Sequence, residues 1–184
     1  MHYLIKRFVW WVGILIFAAS ALHASVFKPE QINTLALVKE IALRYPDKTG
    51  ETFAKTAMAI CLTETSAGVF KIGDIGKDPN IFQASLGVMQ VRLETARFVA
   101  QKLDLQEIKA MSDVKLVNKL LGDDRFNIEV AVQFLVWLSD YTKHDYFRTV
   151  SRYNGGNVNH PYYGRVMRNM QLIAKETSLM VDLD

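Results

Sequence analysis

From Pro29 to Ala174 the apolar residues return every three or four positions, and no long stretch alternates every second position. That rhythm predicts helices that each bury one face, because a helix repeats every 3.6 residues and a strand every two. Pro29 sits where a first helical turn tolerates proline. Ile32, Leu35, Val38 and Ile41 then make a stripe up to Tyr45, and Pro46 stops it. A second helix is predicted from about Glu51 to Ser66, with Phe53, Ala57, Ile60 and Cys61 inward and Gly68 at its end. Residues 67–86 hold Gly68, Gly73, Gly76, Pro79 and Asn80 and read as a long loop. A third helix places Met89, Leu93, Ala96, Ala100 and Leu103 in register. Shorter helices are predicted over 105–111 and 113–121, the latter with Ser112 as its cap and Gly122 beyond. The strongest stripe is Ile128, Ala131, Phe134, Leu135 and Leu138. Another helix runs through Phe147 and Val150 to Tyr153 and breaks at Gly155 and Gly156. The last begins near Tyr162, with Val166, Met170, Ile173 and Ala174 inward. One all-α domain over residues 26–180 is the expected architecture.

Residues 1–24 have a different plan. His2, Lys6 and Arg7 make a positive start, Phe8 to Leu22 is apolar, and Ala18, Ala19, Ser20, Ala21 and Ala24 are small. This order is that of a secretory signal peptide, with cleavage expected after Ala21 or Ala24. The alternative is an uncleaved anchor, although a run of 15 residues falls short of the ~20 that span a bilayer. Either way the remainder is expected outside the cytoplasm, in the periplasm or cell envelope.

Charge and cysteine narrow the function classes. The chain carries 22 Lys and Arg against 19 Asp and Glu, or 20 against 19 once Lys6 and Arg7 are set aside. No basic stripe supports nucleic-acid binding. Cys61 is the single cysteine, so an intramolecular disulfide framework and a Cys-rich metal site are excluded. Beyond residue 24 the histidines are His144 and His160, 16 positions apart with no acidic pair framing them. Neither a metal centre nor a cofactor is expected.

One acid breaks the pattern. Continuing the inner face of the second helix through Phe53, Ala57 and Ile60 leads to Glu64. A carboxylate on an apolar face is costly when ionised, so its pKa should rise above the ~4.3 of a free glutamate. A general acid beside a long loop needs that property. A partly solvated carboxylate at a helix end is the alternative. Two further segments carry polar groups suited to a ligand. Gly87-Val88-Met89-Gln90 is predicted to open the third helix, with Gly87 allowing close backbone approach and Gln90 able to donate and accept. Arg152-Tyr153-Asn154-Gly155-Gly156 pairs an aromatic body with directional hydrogen-bonding groups, the mixture that sugars demand. Tyr162 and Tyr163 add aromatics downstream.

Taken in order, Glu64-Thr65-Ser66, Gly87-Val88-Met89-Gln90 and Arg152-Tyr153-Asn154-Gly155-Gly156, followed by Tyr163 and Val166, resemble the motifs of the soluble-type (SLT) lytic transglycosylases. The resemblance covers about residues 50–175, and Asn127-Ile128 fits a recurring pair of that family. It implies a single lysozyme-like helical domain that cleaves bacterial peptidoglycan. It implies Glu64 as catalytic acid and base, Ser66 as a hydrogen-bonding neighbour of the reacting sugar, and Gly87, Met89 and Gln90 along the sugar groove. It implies Tyr153 and Asn154 near the glutamate and the sugar, and Tyr163 as a nearby aromatic. The chain departs from the pattern at Thr65, where the family has serine, at Val88 for leucine, and at Arg152 for a small alanine. Its loop from Ala67 to Ser85 is also longer than usual.

The chemistry so implied needs one carboxyl group. Glu64 protonates the oxygen leaving the β-1,4 bond between N-acetylmuramic acid and N-acetylglucosamine, then takes the proton of the muramoyl 6-hydroxyl as a 1,6-anhydro ring closes. Two alternatives stay open. Asp74, Asp78 or Glu94 could supply the second carboxylate of a hydrolysing muramidase, although Glu94, next to Leu93, points to the helix flank. A catalytically silent wall-binding or assembly protein on the same fold is the other. The expected partners are glycan strands of peptidoglycan, with a secretion or surface apparatus as a further candidate, and a monomer is expected.

Overall fold

The computed structural model describes residues 25–74, 80–181 and 183. The expected signal peptide and Asp78 therefore lie outside the described residues. Nine helices and one small sheet occur among the described residues. The first helix, α1 (Pro29–Ala42), starts on Pro29, and Gln31 Oε1 accepts the Lys28 N–H at 3.0 Å. Leu35, Val38 and Ile41 are fully buried along it. It packs on α2 (Ala54–Thr65), whose residues from Ala57 to Cys61 have no exposed surface at all. Helix α2 also packs against α8 (His160–Ile173), and its small side chains Ala54, Ala57 and Ala59 are buried.

The segment predicted as a loop contains part of a three-stranded antiparallel sheet. Strands β1 (Ile72–Gly73), β2 (Ser85–Leu86) and β3 (Val91–Arg92) lie in chain order, with Ile72 opposite Leu86 and Ser85 opposite Arg92. Residues 87–90 form the turn between β2 and β3, closed by Gln90 N–H donating to the Gly87 carbonyl at 3.1 Å. They do not open a helix: Gly87 has φ +72° and Gln90 φ +52°, both left-handed. Helix α3 (Leu93–Lys102) begins after β3, so Met89 is outside the register predicted for it.

Beyond α3, α4 (Gln106–Lys109) leads to α5 (Asp113–Gly122), where the Ser112 hydroxyl accepts the Lys115 N–H. Gly122 is the last residue of α5, not a residue beyond it. The longest helix among the described residues, α6 (Asp124–Tyr141), starts under the Asp123 cap and buries Ile128, Ala131, Leu135 and Leu138, with Phe134 half-buried. Helix α7 (Tyr146–Tyr153) is capped by Asp145, and α8 is capped by Asn159, whose side chain accepts the Tyr162 N–H at 3.1 Å. Within α8, Val166 and Ile173 are buried as predicted. Met170 is half-buried, and Ala174, at the end of the helix, is exposed. Helix α9 (Thr177–Met180) closes the chain near α1.

One buried amide ties the sheet to the helices. Asn127 of α6 is fully buried. Its Nδ2 donates to the Leu86 carbonyl at 2.9 Å and to the Leu120 carbonyl at 3.0 Å, and its Oδ1 accepts the Met89 N–H at 2.8 Å. A side chain on Gly87 would put its Cβ 2.4 Å from Asn127 Nδ2. The glycine is needed for close approach of the chain to itself.

Candidate active site

Helix α2 ends at Thr65, and Ser66, Ala67 and Gly68 all take positive φ. The Thr65 hydroxyl holds this reversal together: it donates toward the Cys61 and Val88 carbonyls and accepts the Gly68 N–H at 2.8 Å. The last turn of α2 thereby presents Glu64 to a cavity of about 500 Å³. Asp74, Gln90 and Arg92 from the sheet line one part of it, and Tyr153 and Asn154 at the end of α7 line another.

Glu64 is half-buried. Burial pushes its carboxyl above the usual glutamate range, and the negative charge of Asp74 pushes the same way. A hydrogen bond from Tyr162 and the positive charge of Arg165 oppose them without overcoming them. The Tyr162 hydroxyl donates to Glu64 Oε1 at 2.6 Å. With Oε1 engaged as an acceptor, the acidic proton of the neutral form belongs on Oε2. Tyr162 is itself buried and held well above the ordinary phenol range by burial first and by Glu64 second, so it stays a donor.

Asp74 shares the cavity in the opposite electrostatic state. Arg92 Nη2 donates to its Oδ2 at 2.8 Å and Ser85 Oγ at 2.6 Å, and the two bonds, Arg92's first, hold the carboxyl below its usual range. Two carboxyl groups whose surroundings move their pKa values apart are what acid–base catalysis on a glycosidic bond uses. The backbone is unusual at this wall too: Asp74 has φ +55° and Gln90 φ +52°. Non-glycine residues in that region cost about 1–3 kcal/mol and cluster at functional sites.

The other site residues predicted from the sequence divide. Gln90, Tyr153 and Asn154 line the cavity with Glu64. The Tyr153 hydroxyl does not reach the glutamate; it donates to the Met89 carbonyl at 2.9 Å and so ties α7 to the β2–β3 turn. Met89 is fully buried, so its side chain faces the core instead of a sugar. Gly87 packs on Asn127, not on a ligand. Ser66 follows the end of α2 and offers its carbonyl to Gln31 Nε2 at 3.0 Å; it is not part of the cavity wall. Tyr163 packs against Tyr146 and Phe147, with ring centroids at 6.2 Å and 5.0 Å, and is not part of the cavity wall. The aromatic that touches the acid is its neighbour Tyr162, which lies four positions before the inward Val166. Glu94, placed on the helix flank by its position next to Leu93, is exposed and also borders the cavity.

Among the described residues no group of three or more His, Cys, Asp and Glu could hold a metal ion. Cys61 lies beneath the site, buried, with its thiol pushed up to about 12 by burial. That thiol is a neutral packing group. Compared with known proteins, the chain matches no family model, no curated protein is significantly similar to it, and no solved structure is significantly similar to its fold.

Proposed function

We propose that the chain is an exported peptidoglycan lytic transglycosylase with a lysozyme-like domain, in which Glu64 acts first as acid and then as base. The observation that carries this reading is the Glu64–Tyr162 pair: a half-buried carboxyl with a raised pKa, one oxygen fixed by a hydroxyl donor, on the wall of a cavity of sugar size. Three motifs spread over 91 residues of chain, from Glu64 to Asn154, contribute Glu64, Gln90, Tyr153 and Asn154 to that one cavity, which supports a common substrate. In the first half-reaction Glu64 gives its proton to the glycosidic oxygen as the bond to the muramoyl C1 breaks. In the second, the muramoyl 6-hydroxyl attacks C1 and its proton returns to Glu64. No water is consumed, and the acid is regenerated. Such acid–base help is worth about 10²–10⁴-fold.

Asp74 supports a second reading. An ionised carboxylate in the same cavity could activate a water or stabilise the cationic sugar, as in a hydrolysing muramidase. Digestion of purified peptidoglycan in heavy-oxygen water separates the two. The transglycosylase leaves anhydro-muramoyl ends without label, one water lighter than hydrolysed ends. Labelled reducing ends would replace it by the muramidase, with Asp74→Asn then expected to remove most activity.

A further inference from the structure

A second cavity, of about 630 Å³, adjoins the one that holds Glu64, with Glu94, Thr95, Phe134, Arg152 and Gly155 common to both walls. Its floor is aromatic. Trp137 and Tyr141 of α6 stack with centroids 5.0 Å apart, and Phe98 of α3 meets Trp137 edge-on at 4.7 Å. Two cations rest on these rings: Arg152 lies over Tyr141 at 4.9 Å and Lys102 over Phe98 at 5.6 Å. Among the described residues no carboxylate lies within ion-pair distance of either. A guanidinium lying on an aromatic face keeps its in-plane N–H groups free, and two parallel N–H donors match a carboxylate. The cavity therefore combines apolar rings, a directional cation and direct continuity with the acid.

We propose that this cavity is a subsite for the acidic stem peptide of an N-acetylmuramoyl unit, with Arg152 pairing a peptide carboxylate and the Trp137–Tyr141 ledge carrying the apolar part. The identity of the ligand rests on the glycan-cleaving reading above; the preference for an anion rests on Arg152, whose guanidinium lies over Tyr141.

The test uses the full chain and two probes: N-acetylmuramoyl-L-alanyl-D-glutamate, and the same compound with both carboxylates converted to amides. Affinities are measured by titration calorimetry at low salt. Wild type is expected to favour the acid form by about tenfold, the size of one charge-assisted bidentate contact, and Arg152→Gln is expected to erase that preference. Because the readout is a ratio on one sample, partial unfolding of a variant cancels. Equal affinity for both probes in wild type, failure of both to bind, or a preference that survives in Arg152→Gln would each overturn the subsite. Peptidoglycan cleavage by the same preparation is scored alongside. Cleavage without the preference removes the subsite alone, and the preference without cleavage removes the enzymatic reading and leaves an anion-binding site.

Discussion

Glu64 and Tyr162 form a pair whose two members can be changed separately. The carboxyl binds its proton more tightly in the folded chain than in the unfolded one. Between the ordinary glutamate value and the raised one, the folded state therefore holds more protons, and stability falls as pH rises through that window. Glu64→Gln removes this loss. Its melting temperature should exceed that of wild type near neutrality, and the difference should shrink as pH falls below the ordinary carboxylate range. Calorimetry across pH checks this; a constant difference would mean that Glu64 titrates normally. Tyr162→Phe acts the other way on the same group. The tyrosine's hydrogen bond favours the ionised carboxyl, so its removal raises the pKa further. If activity needs the protonated acid, its decline at high pH should move to higher pH in Tyr162→Phe. An unmoved profile would separate the tyrosine from the acid. The identity of this partner was within reach of the sequence. Tyr162 lies four residues before Val166, on the inward stripe, while Tyr163 is one step off it; the Asn159 cap, once placed, fixes that phase.

The β2–β3 turn is the element that departs most from its sequence signal. Met89 and Leu93 are four apart, which mimics a helical stripe, and strands of two residues are too short to show alternation. The left-handed backbone at Gln90 has no marker either, since glutamine rarely adopts it. Its cause is tertiary: Asn127 holds the turn from α6, and Tyr153 holds it from α7. The helices were legible because their apolar stripes repeat at helical spacing, with Ser112 marking the start of α5; Asp123, Asp145 and Asn159, residue types that favour the same position, cap three more in the structure. Two substitutions probe the turn. Gly87→Ala places a Cβ in a left-handed conformation and against Asn127, and should cost at least ~2 kcal/mol. Tyr153→Phe leaves the Met89 carbonyl short of a partner and should cost about 1–3 kcal/mol. Urea unfolding measures both. A silent Tyr153→Phe would show that water replaces the hydroxyl.

At the scale of the molecule, the helices hold Glu64 on one wall of a depression and the sheet holds Asp74 on another, with an aromatic extension leading past Arg152. The sequence foreshadowed the acid, because Glu64 interrupts an otherwise apolar face. It could not show that Asp74 joins it, because the path of an irregular segment is not written in any period. The central claim is that glycan cleavage passes through the proton on Glu64. Mass spectrometry of the soluble products released from purified peptidoglycan, by the wild-type chain and by folded Glu64→Gln at equal concentration, measures it directly. The expected result is 1,6-anhydro-muramoyl products from wild type and a fall in their rate of release of about 10²–10⁴-fold in the variant. Release at the wild-type rate by a folded Glu64→Gln chain would contradict the account.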